Sequence, residues 1–106
     1  IYFEGSIEVN CRNKIGESPL QMACKEGSGQ VIDALVTAGA ELNYQDNDGW
    51  TALWYAYSNR NEDILKLLLK SGADKSIINN DQKSVLDEAL LNDEEDMIEL
   101  LQKSFL

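Results

Sequence analysis

Histidine is absent from all 106 residues, and that one absence excludes much of catalytic chemistry. No Ser-His-Asp or Cys-His nucleophile can be built, nor a helical zinc motif of paired histidines, nor a histidine-bearing zinc finger. Proline occurs once, and the two cysteines, Cys11 and Cys24, lack CxxC spacing. With no Asn-x-Ser/Thr sequon either, nothing marks a secreted disulfide scaffold, so the expected location is intracellular, with the cytoplasm as default. Apolar runs are short: Ile64–Leu69 is interrupted by Lys66 and falls far below the ~18 residues of a membrane span. Positive charge is also scarce. Nine bases against nineteen acids leave a net charge of −10, which repels phosphate backbones and anionic membrane surfaces, so neither nucleic acid nor membrane is an expected partner.

What is present suits one small domain: 43% of residues are apolar and 26% charged. The acids gather in residues 1–48 and 81–106, leaving 49–80 close to neutral. The chain opens at Ile1 and not at a methionine, which reads as a piece of something longer.

An offset of 33 residues aligns 16–48 with 49–81 without a gap. Identities fall at Gly16/Gly49, Leu20/Leu53, Ala23/Ala56, Leu35/Leu68, Gly39/Gly72, Ala40/Ala73, Asn47/Asn80 and Asp48/Asp81. A third copy starts at Gln82 and keeps Ser84, Leu86, Ala89, Met97, Ile98, Leu100, Leu101 and Lys103 in register. Each copy carries the signals of two helices. Ser18, Thr51 and Ser84 are N-cap residues, and Pro19 stands at a first helical position, where its missing N–H costs nothing. Polar breaks at 25–29, 58–61 and 91–93 precede second helices that show apolar pairs about one turn apart, such as Val31-Ile32 with Leu35-Val36. Glu62-Asp63 and Glu94-Glu95-Asp96 place carboxylates where the positive helix end favours them. Gly39 and Gly72 then fall where a left-handed residue ends a helix.

This pattern resembles the ankyrin repeat over about residues 6–104. The family's Thr-Pro-Leu-His-x-Ala-Ala stands as Ser18–Cys24, Thr51–Tyr57 and Ser84–Leu90, and its Leu-Leu-x-x-Gly-Ala-Asp-Val-Asn as Leu35–Asn43 and Leu68–Ser76. The family histidine is replaced by Gln21, Trp54 and Asp87, and only Pro19 of the three prolines is kept. The resemblance implies an all-α fold, a solenoid of stacked helix-turn-helix units joined by β-hairpin-like loops. Residues 16–48 and 49–81 would be repeats, 82–106 a polar C-terminal capping repeat with Gln102 and Phe105 in place of the outer leucine and terminal glycine, and 1–15 the tail of an earlier repeat. Tyr2–Ser6 is also one change from the common protease-site sequence Tyr-Phe-Gln-Gly-Ser, so residues 1–6 have a second reading as a tag remnant.

Other motifs favour bland readings. Asp46-x-Asp48-Gly49 lacks the first and twelfth carboxylates of a calcium loop and reads as a turn. Gly27-Ser28-Gly29 lacks the third glycine of a dinucleotide fingerprint. Asp93–Asp96 reads as a solvated helix start, Cys24 as a small buried hydrophobe and Cys11 as a loop residue that could be exposed. No metal or cofactor is expected.

The resemblance further implies that hairpin tips and first helices line a concave face that binds a partner protein. Carried over by position, that face would hold Glu17, Met22, Asn47, Asp48, Trp50, Tyr55, Ser58, Asn59, Lys83 and Glu88. Trp50 and Tyr55, with Tyr57 as a third member, give the composition of an interface hot spot, whereas Trp54 and Tyr57 also read as filling between repeats. Asn43, with Leu35 eight residues before it, resembles the asparagine that an asparaginyl hydroxylase modifies in this family, and the plainer reading is hairpin closure. The expected function is therefore non-catalytic binding of a partner protein with a basic surface. The alternative is a regulatory repeat segment docked on the catalytic domain of a larger enzyme. Missing upstream repeats would leave an apolar face open to self-association.

Overall fold

The computed structural model describes residues 9–103, so the readings of residues 1–8 and of Phe105 lie outside the described residues. Within them six helices form three antiparallel pairs: α1 (Pro19–Glu26) with α2 (Gly29–Thr37), α3 (Ala52–Ser58) with α4 (Glu62–Lys70), and α5 (Val85–Leu91) with α6 (Glu95–Gln102). No strand occurs among the described residues. The first helices stack in a row, α1 on α3 and α3 on α5, the second contact being the sparser.

Local chemistry starts each pair. Gln21 N donates to Ser18 Oγ and Ser18 N to Gln21 Oε1, at 3.2 and 3.1 Å, a reciprocal capping box. Ser84 and Asp87 repeat it at 3.1 and 2.9 Å, and these bonds hold the Asp87 carboxyl below its ordinary range. Thr51 caps without a side-chain bond: the main-chain N–H of Trp54 donates to Thr51 O at 3.1 Å, and the Trp54 side chain has no acceptor to return the other half of a capping box. Gly39 and Gly72, at φ +96° and +103°, close α2 and α4. The next N–H, from Ala40 or Ala73, reaches back to Leu35 O or Leu68 O at 2.9 and 3.0 Å. Lys25, Glu26, Ser58 and Leu91 were expected in polar breaks and instead form the last turns of α1, α3 and α5.

The hairpin tips share one device. Asn13 Oδ1 accepts from Ile15 N and Glu17 N at 3.1 and 2.9 Å. Asp46 Oδ1 does the same for Asp48 N and Trp50 N at 3.0 and 2.9 Å, and Asn79 Oδ1 for Asp81 N and Lys83 N at 2.8 and 3.2 Å. One short acceptor thus folds each tip into a tight loop, which backbone bonds of the same residue close as well, as in Asp46 N to Trp50 O at 3.0 Å and Gly49 N to Asp46 O at 2.9 Å.

Neighbouring pairs bury each other's apolar stripe. Leu20, Leu35, Leu53, Leu65, Leu68 and Leu101 are closed from solvent, with Cys24 among them. Burial pushes the Cys24 thiol up to about 12, while Cys11 is exposed. In the third pair Gln102, expected on the polar surface of a closing repeat, is exposed, and two apolar residues of α5 are exposed as well. Leu90 occupies the register of buried Cys24 and Tyr57 and is 49% exposed, and Leu91 is exposed beside it.

Three outcomes test this account. A Cβ at Gly49, where φ is +80°, would lie 2.7 Å from Asn80 N, so Gly49→Ala should cost at least about 2 kcal/mol in urea unfolding. Gln82 holds the same register at φ +65°, and Gln82→Gly should gain about 1 kcal/mol. A thiol reagent applied to the native protein should label Cys11 within minutes and Cys24 only on unfolding, and equal labelling would contradict the packing.

Candidate interaction face

Three aromatic rings mark the middle of the stacked first helices. Trp50 leaves the hairpin tip just ahead of α3 and stacks on Trp54 at 5.3 Å between ring centroids, with Tyr55 tilted against it at 5.1 Å. Trp50 and Tyr55 are half-buried, whereas Trp54 and Tyr57 are buried and meet edge to face at 6.0 Å. Trp54 and Tyr57 therefore pack between repeats. The Tyr55 hydroxyl donates to Asp46 Oδ2, tying the ring to the residue that shapes the tip. Burial, and then this bond to a carboxylate, push the Tyr55 hydroxyl well above its ordinary value.

The two junctions between helix pairs are held differently. At the first, Gln21 Nε2 donates to Tyr44 O and Trp50 O of the next hairpin at 3.0 and 2.9 Å. Asn59 Nδ2 reaches back to Cys24 O and Lys25 O at 3.0 and 2.9 Å, covering the end of α1. At the second, Trp54 stands where Gln21 does, and its indole Nε1 is buried with no acceptor among the described residues. A side-chain triad replaces the latch. Tyr57 Oη donates to Glu94 Oε1, Arg60 Nε pairs with Glu94 Oε2 at 2.8 Å, and the Arg60 guanidinium lies 4.9 Å from the centre of the Tyr57 ring. Arg60 Nη1 also caps α3 by donating to Tyr57 O at 3.0 Å. Burial, then the Glu94 bond, raise the Tyr57 hydroxyl as well. A cleft of about 290 Å³ opens here, walled by Trp50, Trp54 and Tyr57 on one side and by Asn79, Asp81 and Lys83 on the other.

The expected face residues divide into free and committed ones. Glu17 is a correction: it is 6% exposed, pairs with Lys25 Nζ at 2.6 Å and accepts from Asn13 Nδ2 at 3.1 Å, so it braces the first tip and is not a surface group. The Lys25 bond holds its carboxyl below the ordinary range. Asn47 and Asn80 are exposed but donate across repeats, Asn47 Nδ2 to Ile15 O and Asn80 Nδ2 to Asn47 O, both at 3.0 Å. Asn59 is committed in the same way. Asn43 Oδ1 accepts from Asp74 N at 2.8 Å, and Asn10 Oδ1 from Glu41 N at 2.8 Å, so both tie one pair to the next. Met22, Asp48 and Ser58 are exposed, while Lys83 and Glu88 are half-buried and paired at 3.8 Å.

A family model for ankyrin repeats, in three copies, matches residues 2–79. The chain belongs to the ankyrin-repeat family. No curated protein matches the chain. Ankyrin repeats are generally protein–protein interaction modules on a typically non-catalytic fold, and the helical solenoid described here is that fold. The replaced ankyrin histidine explains the unequal junctions. Gln21 supplies both a capping acceptor and a donor to the next hairpin, Asp87 supplies the cap alone, and Trp54 supplies neither.

The raised hydroxyls give this ankyrin stack a pH dependence of definite sign. Tyr55 and Tyr57 keep their protons beyond the ordinary value of about 10, so the unfolded chain releases protons first as pH rises. The stability they contribute is full below about pH 10 and is lost as pH climbs through the folded-state values. Melting temperatures should fall as pH rises above about 10. Tyr57→Phe should cost about 1.5 kcal/mol at pH 7 and flatten that decline, since it removes the bond to Glu94 and the titrating group together.

Proposed function

We propose that this ankyrin-repeat chain is a non-catalytic module that binds a partner protein through its concave face, centred on Trp50 and Tyr55. The observation that carries the reading is the placement of Trp50. It is a large indole left half-open on the row of first helices, beside acids that have no counter-charge. Among the described residues Lys25, Arg60 and Lys83 pair with Glu17, Glu94 and Glu88, while Asp48 and Asp81 are exposed and have no cationic partner. An aromatic centre with unpaired carboxylates around it suits a partner surface carrying Lys or Arg.

The partner that co-purifies with the chain from cell extract should be lost with Trp50→Ala by at least about tenfold. Reversing Asp48 and Asp81 to lysine should weaken recovery as strongly and remove its salt dependence between about 0.1 and 0.5 M. Both variants are to be checked for native circular dichroism. Undiminished recovery by folded variants would place binding on another face.

A further inference from the structure

We propose that α5, on its side away from α3, docks a basic amphipathic helix of a partner protein. The apolar stripe of that helix covers Leu86, Leu90 and Leu91, and its Lys or Arg edge meets Asp87, Asp93 and Glu95. This surface is separate from the concave face and does not rest on it.

The repeat shows twice what covers these positions. Leu20 and Leu53 hold the register of Leu86 and are each 1% exposed, and Cys24 and Tyr57 hold that of Leu90 and are buried. In both copies the next first helix provides the cover, α3 along α1 and α5 along α3. Leu86 is only half-buried, Leu90 is 49% exposed, and Ile98 is half-buried where Ile32 and Leu65 are closed. The third pair thus keeps the stripe on which a helix lies, and no further helix lies on it among the described residues. Leu86 and Leu90, four apart, share one face of α5, so a helix laid along it covers both and removes their apolar surface from water.

Two departures from the earlier junctions choose the occupant. Leu91 stands where the earlier copies have Lys25 and Ser58, and at 66% exposed it widens the stripe beyond what repeat stacked on repeat uses. Acid also enters the face: Asp87, Asp93 and Glu95 stand where the first copy has Gln21, Gly27 and Gly29, none of them charged. The first junction shows that these three registers meet the following pair. Gln21 Nε2 bonds the next hairpin, and Cβ atoms on Gly27 and Gly29 would lie 3.5 Å from Asn61 Nδ2 and 3.6 Å from Ile64 Cδ1. Asp87, Asp93 and Glu95 are exposed, and none is in an ion pair among the described residues. A second copy would bring a net charge of −10 and, packed by the same face, would set these acids against each other. A helix with leucine-like residues on one side and Lys or Arg along the edge covers the stripe and neutralises its rim.

Fluorescent peptides titrated with the full chain in about 0.15 M salt test this, since long-range attraction is screened there. The probe is a capped helix of two copies of Leu-Lys-Lys-Leu-Leu-Lys-Leu. One comparison peptide has Glu in place of each Lys, and another alternates Leu and Lys, the pattern of a strand. The lysine helix should bind at least about tenfold more tightly than the glutamate helix and about fivefold more tightly than the strand. Leu90→Ser with Leu91→Ser should weaken it at least about fivefold, and both side chains are exposed, so the fold is kept. Asp93→Asn with Glu95→Gln should weaken it at least about threefold and lower its salt dependence. Ile15→Ser with Met22→Ser, at exposed positions of the first repeat, should leave it unchanged. Full binding by the Leu90/Leu91 variant, or equal loss with the Ile15/Met22 variant, would overturn the α5 surface. Equal binding of the lysine and glutamate helices would overturn the basic edge, and equal binding of the strand would overturn the helix. Absence of binding would overturn the proposal. So would sedimentation showing that the chain alone pairs through Leu90 and Leu91, which would make the occupant a second copy.

Discussion

Burial of each helix pair by the next is the constraint on which this structure depends. A pair such as α1 and α2 presents an apolar stripe that it cannot cover alone, so its stability comes from its neighbour. One register position shows this. Cys24, Tyr57 and Leu90 stand at equal spacing, and the first two are buried because another pair lies over them, whereas Leu90 has no further pair over it among the described residues and is exposed. The tip asparagines and aspartate, the glycines at the helix ends and the amide bonds between tips all serve to hold successive pairs at the spacing that this burial requires.

That spacing is kept by unlike means at the two junctions, and the difference leaves the cleft at the second. Gln21 and Asn59 zip the first junction with side-chain bonds to main chain, which hold α1 and α3 close. Trp54 is too large and too poor in hydrogen-bonding groups to do the same. The second junction is instead held from one side by Tyr57, Glu94 and Arg60, and a cleft remains on the other. The substitution that weakens the regularity of the repeat is thus the one that creates a recess with aromatic walls.

Much of this was legible in the chain and some was not. The 33-residue period, the N-caps at Ser18 and Ser84, the closing glycines and the burial of Cys24 and Trp54 follow from local chemistry or from repetition, and the fold agrees with each. The reach of α1, α3 and α5 into the polar breaks was missed because polar residues at a helix end face water and leave no periodic signal. Asn13, Asp46 and Asn79 also recur every 33 residues, and this was the available signal for the groups that shape the tips. The fates of Glu17, Asn47 and Asn59 were not legible, since a polar residue on a carried-over surface position looks the same whether it faces solvent, bonds within its own repeat as Glu17 does, or reaches back to the preceding one as Asn47 and Asn59 do.

The amino-acid sequence by itself determined the helix pairs, their order and their membership of the ankyrin family, because caps, breakers and apolar period act within a few residues of one another. Tertiary structure alone decided which polar groups are spent and which are free. Whether Asn59 covers a helix end and whether the Trp54 indole N–H finds an acceptor depend on groups about 30 residues away, brought close only when one repeat lies on the next, while Glu17 is braced inside its own repeat by Lys25 and Asn13 once the hairpin tip folds against α1.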